Sequence, residues 1–395
     1  MPGSVIVAGA RTPIGKLSGA LASFSAVDLG GLAIKAALER AGVAPDQVDY
    51  VFMGQVILAG TGQITARQAA VKAGIPMTVP ATTVNKVCLS GLNAIYLADQ
   101  MINAGDAEIV VAGGMESMTN TPYLLPEARA GYRLGDKAVV DSLMYDGLFC
   151  AFDMCAMGAG TEKYTKAAGN ISRDQQDAFA AASHERASAA MKDGKFAEEI
   201  VPVQVPQRKG DPIVIETDEG VRPGTTTESL GGLKPAFAPD GTITAGNASQ
   251  ISDGGAAVIV MSKAKAEQLG VTPLGEVVSY GQVAGPDPSL LTQPSRASKQ
   301  AMDKVGLTVK DIDLFEFNEA FAAVGLASMA ELGLSDDIVN VNGGAISLGH
   351  PVGMSGTRLA LTLLLELRRR GGGTGVAALC GGGGQGDGMV LRTLS

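Results

Sequence analysis

An internal duplication constrains the fold of this chain more than any other feature of its sequence. The segment 33–55 aligns with the segment 297–319 without a gap. The identical residues are Ala33, Lys35, Ala37, Gly42 and Asp49 in the first copy, which fall on Ala297, Lys299, Ala301, Gly306 and Asp313. Each copy has the pattern of an amphipathic helix, a glycine C-cap, a short turn and a strand. The chain is therefore predicted to contain two similar α/β halves.

The similarity continues farther along the chain with nearly the same offset. Ser90-Gly91 opens an apolar helical stretch in the first half, and Ser355-Gly356 does so in the second. The apolar strands 108–114 and 375–382 each run into glycines. The alternative is a chance match between helix-turn-strand units, but several blocks of the first half align with blocks of the second half at nearly the same spacing. Strands that alternate with helices at this spacing predict an α/β fold with mostly parallel sheets covered by helices.

The two halves are unequal, because residues 119–245 have no counterpart in the second half. We interpret this stretch as an inserted loop domain. The first half then consists of residues 1–118 and 246–272, and the second half of residues 273–395. Insertions of this kind often form a wall over a site that the main scaffold builds.

Two patterns stand out within the insertion. Ser172, followed by Asp174 and Gln175, predicts the N-cap and first turn of a long amphipathic helix. The run 202–239 is rich in proline and glycine, which predicts surface loops rather than packed sheet.

Composition and charge narrow the class of protein. Of the 395 residues, 46% are hydrophobic and 18% are charged, which is typical of a compact folded protein. The net charge is −9, and no cluster of Lys and Arg exceeds the short run 368–370. Nucleic acid and anionic membrane surfaces are therefore poor partners for this chain. We expect a cytoplasmic protein, because the sequence shows no signal peptide and no apolar segment long enough to cross a bilayer.

The cysteines are Cys88, Cys150, Cys155 and Cys380, and their spacing matches neither CxxC pairs nor a Cys/His metal site. Without a secretory signal we expect reduced thiols, and we expect no bound metal. Each cysteine is then either a small core residue or a reactive group.

Cys88 lies immediately before a helical pattern in which Leu92, Ile95 and Ile102 share much of one face. A thiol at a helix N-terminus feels the positive end of the helix dipole, which favours the thiolate. This segment alone fits a nucleophile and a buried structural cysteine equally well.

The chain has only two histidines, so a reaction that needs an imidazole has few options. His350 lies in a glycine-rich turn, where Gly349 permits close approach of backbone or ligand. His184 lies in a predicted helix of charged and small residues, and we expect it to be solvated. His350 is therefore the candidate for chemistry, although a turn histidine that caps a helix would have the same pattern.

Further candidates follow predicted strands. Cys380 ends a short apolar strand and precedes the run GGGGQGDG, whose main-chain N–H groups suit an oxyanion site. A flexible glycine linker is the alternative, but apolar strands flank the run on both sides. Asn318 could hold a water or a carbonyl through its amide, or cap a helix, and Glu319 could act as a base or an ion-pair partner. The glycine blocks match no nucleotide-binding motif.

Together these residues resemble the thiolase family over essentially the whole chain. The blocks that carry the resemblance are VNKVCLSGLNA around Cys88, NEAFA from Asn318, NGGAISLGHPVGMSG around His350, and CGGGGQGDG from Cys380. The insertion is similar to the family as well, through MGAGTEKY from Met157. The resemblance is strongest to the biosynthetic branch, the acetyl-CoA C-acetyltransferases. It implies two similar α/β domains stacked as αβαβα layers with a loop domain inserted in the first, which agrees with the duplication.

The resemblance implies a reversible Claisen condensation of two acetyl-CoA to acetoacetyl-CoA and CoA, through an acyl-Cys88 intermediate. His350 would receive the thiol proton, and Cys380 would remove the α-proton of the second acetyl-CoA. His350 and a water held by Asn318 would stabilise the enolate. Main-chain N–H groups of Cys88 and Gly382 would form a second oxyanion hole.

The resemblance also implies how coenzyme A is held. Arg222 would lie near the nucleotide phosphates, and Ser249 would hydrogen-bond to the pantetheine arm. Met157, Ala320 and Phe321 would line the channel. No cofactor is expected, because the thioester supplies both the leaving group and the acidity of the α-proton. Family members are dimers or tetramers, so the expected partners are acyl-CoA, CoA and further copies of the chain in a homotetramer or a dimer.

One position departs from the family pattern. Ala156 stands where the biosynthetic branch commonly has a histidine, directly before Met157-Gly158. The preferred acyl chain length of the substrate is therefore undecided. A broader-range 3-ketoacyl-CoA thiolase of fatty-acid degradation is the alternative function. A ketoacyl synthase fits less well, because Cys380 stands where that enzyme has His or Asn. A catalytically inactive binding protein also fits less well, because Cys88 and His350 are both present in their blocks.

Overall fold

The structure is a computed structural model that describes residues 3–394. Met1, Pro2 and Ser395 belong to the predicted halves but lie outside the described residues. The helices are α1 (Ala26–Ala41), α2 (Thr65–Lys72), α3 (Ser90–Ala104), α4 (Met157–Ala168), α5 (Arg173–Lys192), α6 (Thr227–Gly231), α7 (Lys263–Leu269), α8 (Gln293–Asp303), α9 (Ala322–Leu332), α10 (Ala345–Leu348) and α11 (Ser355–Arg369). The strands are β1 (Ser4–Arg11), β2 (Gly15–Lys16), β3 (Tyr50–Gly54), β4 (Ala81–Val84), β5 (Ile109–Ser117), β6 (Tyr123–Leu124), β7 (Val140–Asp141), β8 (Phe149–Cys150), β9 (Cys155–Ala156), β10 (Val203–Val205), β11 (Ile213–Ile215), β12 (Ser252–Ser262), β13 (Gly275–Ala284), β14 (Leu314–Phe317), β15 (Thr374–Gly381) and β16 (Gln385–Arg392).

A ten-stranded mixed sheet forms the centre of the molecule. Its order is β14-β15-β16-β13-β1-β12-β5-β3-β4, with β2 paired to β12 at the side. Only β3 with β4, β3 with β5, and β14 with β15 pair in parallel within the described part of this sheet. The prediction of mostly parallel sheets is therefore wrong. A tight glycine turn joins β15 to β16 and leaves no room for the crossover connection that parallel pairing needs. Strand β12, which follows the insertion, runs antiparallel to both β1 and β5.

The sheet topology repeats the duplication found in the sequence. Strands β1, β12, β5 and β3 have the same order in the first half as β13, β16, β15 and β14 in the second. The equivalent residues Asp49 and Asp313 both accept a backbone N–H from the neighbouring strand, from Ile109 and from Thr374 respectively. The prediction of two similar α/β halves is confirmed.

The helices cover the two half-sheets in five layers. Helices α1 and α2 pack on the outer face of the first half-sheet, and α8 and α9 pack on the outer face of the second. Helices α3 and α11 lie between the half-sheets and share one buried cluster with strands of both. The αβαβα order that the resemblance implies is therefore confirmed.

The insertion lies outside the main sheet, since the described residues among 119–245 contribute no strand to it. The long helix predicted from Ser172 is present as α5. The Ser172 side chain accepts the N–H of Gln175, and the Gln175 side chain accepts the N–H of Ser172, which is the capping box that the sequence predicts. Because these elements stand apart from the main sheet, we propose the boundaries 1–118 with 246–272, 119–245 and 273–395 for the three units.

The proline- and glycine-rich run 202–239 is only partly the set of surface loops that we predicted. It contains the antiparallel pair β10 and β11 and the short helix α6. Valine and isoleucine flank the turn at Gly210, and β-branched residues favour an extended backbone, which explains the ribbon.

The central helices α3 and α11 begin unusually close to each other. A Cβ at Gly91 would lie 2.8 Å from the backbone nitrogen of Thr357, and a Cβ at Gly356 would lie 2.3 Å from the backbone nitrogen of Leu92. The Thr357 hydroxyl also donates to the carbonyl of Gly91 at 3.0 Å. The loops that precede the two helices are thereby brought to the same place.

Gly356→Ala is expected to lower the free energy of unfolding by about 1–3 kcal/mol, because the added methyl group forces two backbones apart. Thermal denaturation followed by circular dichroism measures this change. Gly231→Ala is the matched control: Gly231 is exposed, and no described atom lies within 4 Å of the position its Cβ would take. The control should stay within about 0.5 kcal/mol of the parent chain. Equal stability of both variants would contradict the proposed contact.

Candidate active site

Cys88 lies on a strained turn between β4 and α3. The preceding Val87 has a φ of +50°, a left-handed conformation that β-branched residues rarely adopt. Ser90 holds this turn, because its hydroxyl accepts the N–H of Lys86 at 2.8 Å and donates to the carbonyl of Val87 at 2.6 Å. The half-buried Cys88 side chain is thereby held two residues before α3, where the sequence predicts a helix to begin.

An ion pair anchors the Cys88 turn to the second half of the fold. Lys86 Nζ lies 2.7 Å from Asp387 Oδ1, and Asp387 is fully buried in β16. The Tyr280 hydroxyl donates to the same carboxylate. A buried carboxylate with one cationic and one hydroxyl partner is compensated, so it can fix the turn without strong destabilisation.

The glycine turn between β15 and β16 lies against the Cys88 turn. A Cβ at Gly381 would lie 2.6 Å from Cγ of Leu89, and a Cβ at Gly382 would lie 3.3 Å from Cγ1 of Val87. Side chains at these glycines would therefore push the two turns apart. The glycine run is a packed turn and not a flexible linker.

Cys380 and Gly382 are the other two sequence-predicted residues that this turn brings to Cys88. The main-chain N–H groups of Cys88 and Gly382 act to lower the pKa of the Cys88 thiol and so favour its thiolate. Cys380 is buried at the end of β15. Its pKa is raised by burial and by the neighbouring charge of Cys88.

Burial, rather than the helix dipole, controls the protonation of Cys88. It raises the pKa of the thiol to about 11, against the opposing effect of the N–H groups of Cys88 and Gly382. The charge of buried Glu116 raises this pKa further. The main-chain N–H groups favour the thiolate, as expected at a helix N-terminus, but burial outweighs them and the pKa of Cys88 lies above its ordinary value.

His350 is buried, and its two ring nitrogens have different partners. Nδ1 lies 2.6 Å from the hydroxyl of Ser355, the first residue of α11. Because this hydroxyl donates to the carbonyl of Pro351 at 3.0 Å, its oxygen accepts the proton of Nδ1. The Nε2 atom then carries the lone pair and faces the side-chain amide of Asn318 at 3.3 Å. His350 is thus held as the tautomer whose Nε2 can accept a proton.

The charge state of His350 is neutral in the free protein. Burial, assisted by the positive charge of Arg358, lowers the pKa of the imidazole to about 3. Arg358 is itself buried and lies 3.2 Å from Glu316. A preformed ion pair between a Cys88 thiolate and a protonated His350 is therefore disfavoured.

Asn318 and Glu319 have separate surroundings despite being neighbours in sequence. The Oδ1 atom of Asn318 is buried and accepts no hydrogen bond from any described residue, which leaves it available to a ligand or a water. Helix α9 begins only at Ala322, so Asn318 does not cap it. Glu319 accepts hydrogen bonds from Ser183, Asn340 and the N–H of Ile346, which makes it a tie between segments rather than a base.

A cleft of about 460 Å³ leads to His350 from the surface. Most of the predicted CoA-binding residues lie on its walls, namely Met157, Arg222, Ser249 and Phe321, and Ala156 lies there too. Ala320 stands just behind the wall, where its carbonyl accepts the N–H of Ser249 at 3.0 Å. Cys88 belongs to the same apolar cluster as Met118 and Val352, which also line the cleft, and Cys380 belongs to the cluster that contains Phe321.

His184 is not the solvated helix residue that we expected. It is 2% exposed, and its Nδ1 accepts the N–H of Arg222 at 3.1 Å. The buried side of α5 packs against α9 and α10, and His184 lies on that side. The ring therefore holds the backbone of Arg222 at the rim of the cleft while remaining uncharged, since burial lowers its pKa to about 4.

Several residues that shape this site were not predicted from the sequence. Ser355 orients His350, Lys86 and Asp387 anchor the Cys88 turn, and Glu116 accepts the N–H groups of Val56, Ile57 and Gly353. Lys86 and Ser355 fall inside the motif blocks around Cys88 and His350, so their positions were visible. Their partners were not, because Asp387 and Glu116 are distant in sequence from the groups they bind.

Neither a metal cluster nor a membrane helix is found in the described chain. Residues 3–394 contain no group of three or more His, Cys, Asp or Glu side chains arranged to hold a metal ion. None of their helices is long and apolar enough to cross a membrane.

Comparisons with known proteins agree over the full length. The family model described as "Thiolase, N-terminal domain" matches residues 4–264, and "Thiolase, C-terminal domain" matches residues 271–393. A probable acetyl-CoA acetyltransferase of Mycolicibacterium smegmatis is 60% identical over 98% of this chain and 100% of its own length. The acetyl-CoA acetyltransferases of Cupriavidus necator and Pseudomonas aeruginosa are 54% and 52% identical, each over 98% of both chains.

Alkylation of Cys88 by iodoacetamide is expected to accelerate about tenfold per pH unit between pH 6 and 10, because only the thiolate reacts and the pKa is about 11. Mass spectrometry of the tryptic peptide that carries Cys88 measures the rate. His350→Asn should leave this profile unchanged, since a neutral imidazole does not stabilise a thiolate. A plateau near pH 7 that disappears in His350→Asn would reveal a preformed ion pair and contradict the neutral site.

Proposed function

The chain belongs to the thiolase family, and from this premise we propose that it is an acetyl-CoA C-acetyltransferase. It joins two acetyl-CoA to form acetoacetyl-CoA and CoA, and it catalyses the reverse thiolysis. The observation that carries the proposal is that His350 lines one cleft, while Cys88 from the first half and Cys380 from the second belong to the buried clusters of the lining residues Val352 and Phe321. The names of its relatives support acetyl transfer.

In the first step Cys88 attacks the thioester of an acetyl-CoA, and Nε2 of His350 accepts the thiol proton. A thiol with a pKa of about 11 does not transfer its proton to an imidazole with a pKa of about 3 before attack. Proton transfer is therefore coupled to formation of the carbon–sulfur bond. The N–H groups of Cys88 and Gly382 stabilise the oxyanion of the tetrahedral intermediate. This intermediate collapses to acetyl-Cys88 and a CoA thiolate, which takes the proton of the Cys380 thiol and leaves as CoA.

In the second step Cys380 removes the α-proton of another acetyl-CoA. Burial makes its thiolate a strong base, which suits a weakly acidic carbon. The enolate oxygen is stabilised by His350 and by a water held on Oδ1 of Asn318, an acceptor without a partner in the described chain. Attack on the acyl-Cys88 carbonyl then forms acetoacetyl-CoA and expels the Cys88 thiolate, which recovers its proton from His350. Each step is reversible.

The cleft suits an extended CoA thioester. Arg222 is exposed at the rim and carries the charge that the nucleotide phosphates require. Ser249 is positioned to hydrogen-bond to the pantetheine arm, and Met157 and Phe321 supply an apolar channel. Phe237 packs edge-on against Phe321 at 6.3 Å and supports this wall. We propose that catalysis needs no cofactor and that the enzyme acts in the cytoplasm.

We also propose that the enzyme is a homo-oligomer. Strand β4 is the last strand of the sheet, and its neighbourhood exposes Ile64, Val71 and Met77. A second apolar patch surrounds Leu134, whose side chain is 95% exposed. Two separate patches of this kind favour a tetramer with two interfaces over a dimer, and sedimentation equilibrium distinguishes these states.

Cys88→Ala is expected to abolish both condensation and acetoacetyl-CoA thiolysis, because no nucleophile remains. Cys380→Ser should lower kcat by at least about 10³-fold while still allowing slow acetylation of Cys88, because a Ser hydroxyl loses its proton far less readily than a thiol and so supplies almost none of the basic form. Steady-state assays and the mass of the acetyl-enzyme measure these outcomes. Val214→Ala, on the exposed β11, is the control and should retain full activity. Turnover by Cys88→Ala would overturn the assignment of the nucleophile.

Ala156 is expected to widen the substrate range, since a methyl group on the cleft wall leaves more room than an imidazole. Thiolysis of C6 and branched 3-ketoacyl-CoA should therefore proceed within about tenfold of the C4 rate. Ala156→His should reduce kcat/KM for the longer substrates selectively and leave the C4 substrate little changed. Strict C4 selectivity of the parent chain would count against this role, while a maximum at C6 or longer would favour the broader-range thiolase.

A further inference from the structure

A pair of cysteines outside the proposed mechanism faces each other across a short β-hairpin. Cys150 ends β8, Cys155 begins β9, and the two are direct partners in the antiparallel register. The connection between them is the exposed or half-exposed segment 151–154. Both are free thiols in the structure.

The register of this hairpin has the spacing that a disulfide requires. Residues directly opposite in an antiparallel pair have Cα atoms about 4.5–5.5 Å apart. Disulfides span Cα separations of about 4.4–6.8 Å, so a bridge between Cys150 and Cys155 needs no change in strand pairing. No other pair of the four cysteines shares a strand register.

We propose that Cys150 and Cys155 are a redox modification site that forms a reversible intramolecular disulfide under oxidising conditions. A low-molecular-weight disulfide is the oxidant. The thiolate of Cys155 attacks it, giving a mixed disulfide and releasing one thiol. The thiolate of Cys150 then attacks the Cys155 sulfur and releases the second thiol. Two protein thiols are oxidised, one small disulfide is reduced to two thiols, and one protein disulfide forms.

The surroundings of the two sulfurs assign these roles. Cys155 is partly exposed and can meet an oxidant, whereas Cys150 is 5% exposed and suits the resolving thiol. The N–H of Asp153 donates to the Cys150 sulfur at 3.4 Å and holds this sulfur within the hairpin. Burial and the carboxylate of Asp153 raise the pKa of Cys155, so exchange is slow at neutral pH and the pair stays reduced under mild conditions.

The hairpin connects the glycine turn of the site to the wall of the cleft. The Phe152 ring lies against Gly383, since a Cβ at Gly383 would approach it to 3.0 Å. At the other end, β9 runs directly into Met157, which lines the cleft together with Ala156. A disulfide between Cys150 and Cys155 therefore closes the hairpin between Phe152, which contacts the glycine turn, and Met157, which lines the cleft.

The test treats the full-length protein with oxidised glutathione at pH 8.5, blocks free thiols with N-ethylmaleimide and digests with trypsin. The peptide 138–163 contains Cys150 and Cys155 and neither Cys88 nor Cys380. We expect it to lose both maleimide additions together and to regain them after dithiothreitol. Chymotryptic cleavage after Phe152 should give two fragments that separate only on reduction.

Single substitutions distinguish a bridge from independent oxidation. In Cys150→Ser, Cys155 should stop at the mixed disulfide with glutathione; in Cys155→Ser, Cys150 should remain alkylated by maleimide. Cys88→Ala, treated in the same way, should form the disulfide as the parent chain does. This result would exclude transfer of glutathione from Cys88 to the pair. Full maleimide labelling of both cysteines in the parent chain, or a stable mixed disulfide on Cys155 without a bridge, would overturn the proposal.

A binding measurement tests whether the bridge fits the register in the structure. Calorimetry compares the affinity of oxidised and reduced Cys88→Ala for CoA. Because the strand pairing already holds the cysteines together, the dissociation constant should change by less than about twofold. A loss of affinity above about tenfold would mean that the bridge forms only by distorting the cleft wall, contrary to the proposed geometry.

Discussion

The contact between the first turns of α3 and α11 is the constraint on which the site depends. Gly91 and Gly356 let the two backbones meet, and no side chain can be added at either position without moving a helix. Since Cys88 precedes one helix and His350 precedes the other, this single contact fixes the distance between the two loops. The loop after His350 is seated in the same way on the first half-sheet, where a Cβ at Gly114 would lie 2.0 Å from the carbonyl of Gly353. Backbone contacts of this kind leave little freedom for the loops to separate.

Burial gives the site its second property, which is that its ionisable groups rest in their neutral forms. The pKa of Cys88 is raised to about 11 and that of His350 is lowered to about 3, so neither carries charge before substrate arrives. In the proposed mechanism the N–H donors of Cys88 and Gly382 are fixed by the backbone and become most favourable only when negative charge develops near them. The same burial that makes the resting thiol unreactive therefore makes stabilisation of an oxyanion effective. An exposed site would have a more reactive free thiol and weaker stabilisation of the transition state.

Local patterns in the sequence predicted elements well, and distant partnerships poorly. The capping box at Ser172, the glycine that ends α1 and the paired helix starts at Ser90 and Ser355 depend on neighbouring residues, and all are present. The parallel character of the sheet was predicted wrongly, because strand direction depends on connections that periodicity does not encode. His184 was misjudged because its environment comes from α9 and α10, which lie far away in sequence. The blocks around Cys88 and His350 predicted the candidate site, whereas Asp387 could not be matched to Lys86 without coordinates.

The two halves share a scaffold but do not carry two equivalent sites. In the register set by Ser90 and Ser355, which open α3 and α11, Cys88 corresponds to Gly353 and His350 corresponds to Asn85. The strand pairing of β5 with β3 and of β15 with β14 makes Cys380 equivalent to Met115. None of these counterparts supplies a thiol or an imidazole. Because the insertion also covers only one side of the duplicated core, the symmetrical scaffold positions an asymmetric set of side chains, and each chain should bind and convert substrate at one place.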